Sequence, residues 1–188
     1  KGLRHERLTL SSLGIEADGG PGEISFTARG KGTLLRDFDG HAAGLLSLGQ
    51  GAPSLALREF QATFGDLPIR LDGPGTLTWG PESVSWDKGA FRIGDGRVSG
   101  SGSLGERRVE MNLHLQDIPL EPFVPEGGVE LMGRATGELR MTGDRRQPDA
   151  LLRLSVGGLR IGHRELQDLP PGRLEARGEL KQARLHAD

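Results

Sequence analysis

Five histidines are the first residues in this chain that could do chemistry: His5, His41, His114, His163 and His186. No two of them stand at H-x-H or H-x-x-x-H spacing, so they do not present the pair of imidazoles that a zinc site draws from one strand or one helix face. Asp37 and Asp39 precede Gly40 as in the opening of a calcium loop, but no Glu follows at the twelfth position, and Asp-Phe-Asp-Gly reads instead as a turn. Gly100-Ser101-Gly102-Ser103-Leu104-Gly105 fits the G-x-G-x-x-G spacing that cradles a dinucleotide phosphate. That chemistry needs a helix to begin after the loop, and the residues that follow, Arg107 to Gln116, alternate as a strand does. There is no cysteine to serve as a nucleophile and no G-x-S-x-G elbow to raise a serine. A carboxylate pair for glycoside hydrolysis would converge only in space, although Asp and Glu fall mostly on polar strand faces or in turns. Trp79 and Trp86 could stack a sugar, but flanking one hairpin they read first as packing. The expectation is a protein that is not an enzyme, with no metal and no cofactor.

The elements that would position any site are strands. No window keeps the i, i+3, i+4, i+7 apolar spacing of a helix, whereas period-two alternation recurs throughout. Val109, Met111, Leu113 and Leu115 alternate with Glu110, Asn112, His114 and Gln116. Every odd position from Val129 to Met141 is apolar or Gly, with Leu131 and Leu139 among them, against polar even positions apart from Met132. Leu152, Leu154 and Val156 continue the pattern, as do Leu174, Ala176, Gly178 and Leu180. In the first half Ile24, Phe26 and Ala28 share a face, and Leu55 and Leu57 change parity to Phe60, Ala62 and Phe64, which predicts a bulge near Arg58-Glu59. Turns are expected at Asp18 to Gly22 and Asp37 to Gly40, with hairpins about Gly80-Pro81-Glu82 and Gly94-Asp95-Gly96. Prolines in Ile118 to Pro125 and Asp168 to Pro171 mark connections between strands, because proline cannot donate to a ladder.

Composition narrows the class. The 188 residues carry 24 Lys and Arg against 26 Asp and Glu, a net charge of −2, with no long block of one sign. A nucleic-acid footprint needs clustered cations, so no nucleic-acid partner is expected. The chain opens on Lys and holds no apolar run of the ~20 residues that span a bilayer, which fits a segment of a longer protein whose anchor or signal lies elsewhere. Beside 31 Gly stand only 6 Phe, 2 Trp and no Tyr. A sandwich of this size fills its interior with aromatics, so either the layers approach closely or protein does not fill the space.

A skeleton repeats. Gly133-Arg134-Ala135-Thr136-Gly137-Glu138-Leu139-Arg140-Met141 matches Gly40-His41-Ala42-Ala43-Gly44-Leu45-Leu46-Ser47-Leu48 as G-x-A-x-G-x-L-x-apolar. Each copy then passes a Gly and a Pro, an apolar strand, an Asp-Leu-Pro (168–170 against 66–68) and a G-x-L (178–180 against 75–77). Two copies, about 40–77 and 133–180, indicate one continuous repetitive β segment over 1–188, since stacked repeats bury their apolar face against their neighbours.

The run Leu113 to Leu120, then Gly133 to Gly143, Pro148, Leu152-Arg153-Leu154 and Gly158-Leu159-Arg160-Ile161, resembles the repeats of the TamB branch of the AsmA-like proteins. The resemblance covers roughly Gly40 to Leu180 and consists of small and apolar positions, with no catalytic residue. It implies an all-β fold, an elongated and mostly antiparallel sheet curled into a U-shaped β-taco with an apolar concave face. It further implies a periplasmic part of an inner-membrane-anchored protein that conducts phospholipid acyl chains towards the outer membrane. An Omp85-type partner, engaged through parts outside this segment, would link it to outer-membrane protein assembly. Under that reading the groove is lined by Val109, Met111, Leu113, Leu115, Val129, Leu131, Leu139, Met141, Leu152, Leu154, Val156 and Leu174. The alternative is a β-solenoid or β-sandwich of structural or glycan-binding, adhesin-like type, with a filled core and ligand contacts on its polar face.

Overall fold

A computed structural model describes residues 4–5, 8–33, 36–49, 51–124, 130–162, 170–181 and 184–187. The protein is all-β: apart from one 3-10 turn at Glu121–Phe123, the regular structure among these residues is strand, and the strands pair antiparallel. Contacts divide the chain into two compact units, Lys1–Arg92 and Ile93–Asp188.

In the first unit β1 (Arg4–His5), β2 (Leu8–Gly20), β3 (Glu23–Thr33), β4 (Asp37–Ser47) and β5 (Ser54–Phe64) form a meander, each strand paired with the next. Beyond β5 the ladder is shared by two short strands, β6 (Leu67–Leu71) along one half and β7 (Gly75–Trp79) along the other. The break between them is Asp72-Gly73-Pro74, where Pro74 has no N–H to donate and Gly73 sits at φ 148°. Strand β8 (Ser83–Ile93) returns along β7 through the expected hairpin, with Gly80 N–H donating to the Ser83 carbonyl at 2.8 Å.

The expected bulge in β5 is present. Ala43 pairs with Glu59 but Gly44 pairs with Leu57, so Arg58 is the extra residue, and Leu57 and Phe60 point the same way despite their opposite parity. The expected turn at Asp37 to Gly40 is not. These four residues begin β4, because each of Asp37, Phe38, Asp39 and Gly40 has a cross-strand partner on β3. Lys31 holds Asp39 at 2.7 Å and Thr33 donates to Asp37 at 2.7 Å, so the carboxylates that suggested a turn are satisfied across the ladder instead.

In the second unit β9 (Gly96–Gly105), β10 (Arg108–Pro119), β11 (Glu130–Asp144), β12 (Gln147–Gly162), β13 (Gly172–Lys181) and β14 (Arg184–Ala187) are hydrogen-bonded in sequence order. The glycine-rich run Gly100 to Gly105 is the second half of β9. At the β11–β12 turn the Asp144 carboxylate accepts from Arg146 N–H at 2.8 Å, a side-chain-stabilised reversal. Ile118 and Pro119, expected in a connection, instead extend β10, paired with Ala135 and Arg134. A bulge at Gln116-Asp117, with Asp117 at φ 50°, resets the parity and turns Ile118 to the face that Leu115 uses. Asp168 and Leu169 lie outside the described residues.

The two copies of the repeat fall in different units. Their first two strands pair alike: Leu46↔Leu55, Gly44↔Leu57 and Ala42↔Phe60 correspond to Leu139↔Leu152, Gly137↔Leu154 and Ala135↔Val156. In the third strand Gly75 faces Leu57, whereas the residue facing Leu154 is Ala176, two positions before Gly178.

Candidate functional site

Directly paired residues of an antiparallel ladder point to the same side, so the register assembles each face row by row. In the second unit one row reads Gly100, Leu113, Leu139, Leu152, Gly178 and the next Val98, Leu115, Gly137, Leu154, Ala176. Met111 and Met141 stand together with Gly102 and Ala150 in a third row, and Val109 pairs with Leu104. Ala135, Val156 and Leu174 form another row, with Leu131 beside Ile161 at the far end of β11. Of the twelve residues expected to line a groove, eleven thus share one face of one sheet, and Val129 lies outside the described residues. Val98, Leu104, Leu159 and Ile161 belong with them; Leu159 and Ile161 lie past the bulge that follows Val156, where the parity of β12 changes.

The first unit has the same organisation. Its rows are Ile24, Leu46, Leu55, Leu77, Trp86, then Phe26, Gly44, Leu57, then Ala28, Ala42, Phe60, then Phe38, Phe64, Leu67. Phe60 meets Phe91 edge-on with ring centres 5.6 Å apart.

Two glycines at matching places in the repeat are closely covered rather than empty slots. A Cβ on Gly137 would stand 2.4 Å from the Arg153 carbonyl oxygen and 3.2 Å from Leu154 Cδ1. At Gly44, its counterpart in the first copy, the same atom would meet the Ala56 carbonyl at 2.4 Å and the Phe26 ring at 2.7 Å. In both copies a large neighbour lies over the glycine, which explains why the repeat demands Gly at this place and sets large side chains beside it.

Burial on the apolar face is graded. Ile118, Ala135 and Val156 form a buried cluster, with Val98, Leu115, Leu120, Leu154 and Leu159 packed against it. Away from that cluster the cover thins: Leu152, on the same strand as Val156, is 40% and Leu174 49% exposed, and on β2 Leu13 and Ile15 reach 59% and 65%. Among the described residues no large side chain is completely sealed from solvent. Each unit is one layer of sheet with one apolar face.

The opposite face is polar. In the second unit one row reads Ser99, His114, Glu138, Arg153, Arg177, and beside it stand Thr136, Ser155 and Glu175. Glu138 accepts from Arg153 at 2.9 Å and from Arg140 at 3.3 Å. A depression of about 680 Å³ lies over this row, adjoined by a second of about 710 Å³ that reaches Arg134, Arg160 and Arg173; Thr136 and Ser155 line both. Near the end of β13 the Lys181 ammonium is held above the ordinary lysine value, chiefly by its hydrogen bond to Glu179 at 2.8 Å and by that carboxylate's charge. Among the described residues no three His, Cys, Asp or Glu side chains gather as a metal site would need. No helix among them is long and apolar enough to cross a membrane. Comparison with protein-family models, with curated proteins and with solved structures gives no match to this chain in any of the three.

Proposed function

We propose that this chain is a periplasmic segment of an inner-membrane-anchored, bridge-like protein that conducts phospholipid between membranes. Its apolar sheet face would act as the surface along which acyl chains move. The observation that carries this reading is the gathering of apolar side chains in successive rows on one side of each unit's sheet, over which the described residues place no second layer. Leu104, Leu152, Ile161 and Leu174 are all between 40% and 49% exposed. Fully burying such a side chain is worth about 1.5–3 kcal/mol, so covering the remaining surface of these four would yield about 2.5–5 kcal/mol. An acyl chain laid across the rows would realise that gain, and a similar gain recurs at each next strand about 4.8 Å on, so the lipid could advance without leaving apolar contact.

Under this proposal the sheet curls with its apolar side inward, head groups remain in water at the open side, and an Omp85-type partner is met by parts of the protein beyond this segment. The rival reading, a structural or glycan-binding β module, has one observation in its favour: two depressions, of about 680 and 710 Å³, lie on the polar face. Neither is lined by a Trp, Tyr or Phe ring on which a sugar could stack.

Native mass spectrometry of the chain purified from membranes distinguishes the two. Co-purifying phospholipid is expected, and it should be lost when Leu152 and Leu174 are both replaced by Glu. These two are chosen because their exposure lets a carboxylate be accommodated without disrupting the buried cluster. A lipid-free chain, or lipid retained by the double variant, refutes the conduction surface.

A further inference from the structure

We propose that the depression on the polar face of the second unit is a site for a phosphate group, held between Arg153 and Arg177. The two arginines are direct cross-strand partners on β12 and β13, and like charges set opposite each other cost a sheet stability. The surrounding acids do not relieve the pair. Glu138, beside Arg153 on β11, is shared with Arg140, so those three side chains together keep one positive charge. Glu175, two residues before Arg177 on β13, is engaged by Arg173 at 2.8 Å, and Glu179, two residues after it, by Lys181 at 2.8 Å. Among the described residues Arg177 has no ion pair.

The depression lies at this uncompensated charge, about 680 Å³ in volume, with Ser155, Thr136 and His114 also on its walls. Two guanidinium forks and neighbouring hydroxyls offer more donors than a planar carboxylate can use, and a tetrahedral oxyanion accepts from several directions at once. Because side chains alternate between faces, a lipid lying on the apolar side cannot place its head group here. The site is therefore independent of the proposed conduction surface.

The test titrates the 188-residue chain with inorganic phosphate and with glycerol phosphate, followed by amide chemical shifts, and in parallel measures co-sedimentation with phosphatidylglycerol and phosphatidylcholine vesicles. Saturable binding is expected, weakened at least tenfold by the Arg153→Gln/Arg177→Gln double variant and partly kept by the matching Lys variants. Arginine-dependent binding of the free phosphates supports the site and names a soluble ligand, whereas arginine-dependent recruitment to phosphatidylglycerol vesicles alone supports it and names a lipid head group. In phosphate-free buffer Arg177→Gln should melt no lower than the parent, since it removes a repulsion. Absence of binding to every probe, binding indifferent to the double variant, or a lower melting point for Arg177→Gln in that buffer overturns the assignment.

Discussion

Replacing Gly137 by Ala adds a single methyl, and the geometry around it predicts a loss out of proportion to that size. The new Cβ would sit 2.4 Å from the Arg153 carbonyl oxygen, well inside contact distance, and 3.2 Å from Leu154 Cδ1. A flexible side chain could yield, but a carbonyl fixed in the β11–β12 ladder can move only by dragging the strand. Overpacking that forces a backbone shift costs about 1–3 kcal/mol. For a chain of 188 residues each kcal/mol corresponds to about 2–4 °C, which gives a fall of about 2–12 °C. Gly44→Ala in the first unit should behave alike, because its Cβ would meet the Ala56 carbonyl at the same 2.4 Å. Gly178 supplies the control, standing on the same apolar face with open space where its Cβ would go. There Ala should be neutral or stabilise by up to about 1 kcal/mol, through the reduced freedom of the unfolded chain. Urea unfolding followed by far-ultraviolet circular dichroism measures all three. Should Gly137→Ala and Gly178→Ala agree within about 0.5 kcal/mol, close approach is not the reason the repeat keeps glycine.

Further outcomes follow from the graded burial of the apolar face. Val156 is 4% exposed, so Val156→Ala removes two buried carbons and opens a cavity, for a loss of about 1.5–2.5 kcal/mol in urea unfolding. Leu174→Ala removes a larger group that is 49% exposed and should cost less, about 1 kcal/mol; the reverse order would place the core elsewhere. Lipid binding should respond in the opposite sense, falling more for the Leu152→Glu/Leu174→Glu pair than for Val156→Ala, as native mass spectrometry would register. Leu13→Ser and Ile15→Ser, on β2, should each change stability by less than about 0.5 kcal/mol, since both side chains are mostly in water already.

The faces of the sheet were legible in the sequence because period two is a local property. Leu113 and Leu154 are 41 residues apart, yet alternation alone puts each on its strand's apolar side, and pairing preserves the assignment. The bulge at Arg58 was legible for the same reason, as a change of parity between Leu57 and Phe60. An equal signal at Leu115 and Ile118 was hidden by Pro119, which argues for a strand end wherever it appears; here Pro119 sits at the last position of β10, where one lost donor matters least. The reading of Asp37 to Gly40 as a turn failed on composition. Asp and Gly favour turns only when nothing across the ladder claims them, and Lys31, Thr33 and Gly30 do.

The polar row could not be read in advance, because it is made of register rather than pattern. His114, Glu138, Arg153 and Arg177 come from four strands, and moving any one ladder by two residues would keep every apolar side chain on its face while separating these charges. Alternation fixes parity; the glycines fix which residue meets which. Gly137 accepts the approach of Leu154, and a two-residue slip of that ladder would bring Ala135 or Leu139 under the leucine instead. Gly137 thus helps select the register of the β11–β12 ladder, and that register places Glu138 opposite Arg153 on the other side of the sheet. The backbone position of Arg153 therefore rests on a small residue whose own side faces the apolar rows. Gly137→Ala should disturb phosphate binding as well as stability, even though its methyl would point away from the arginines.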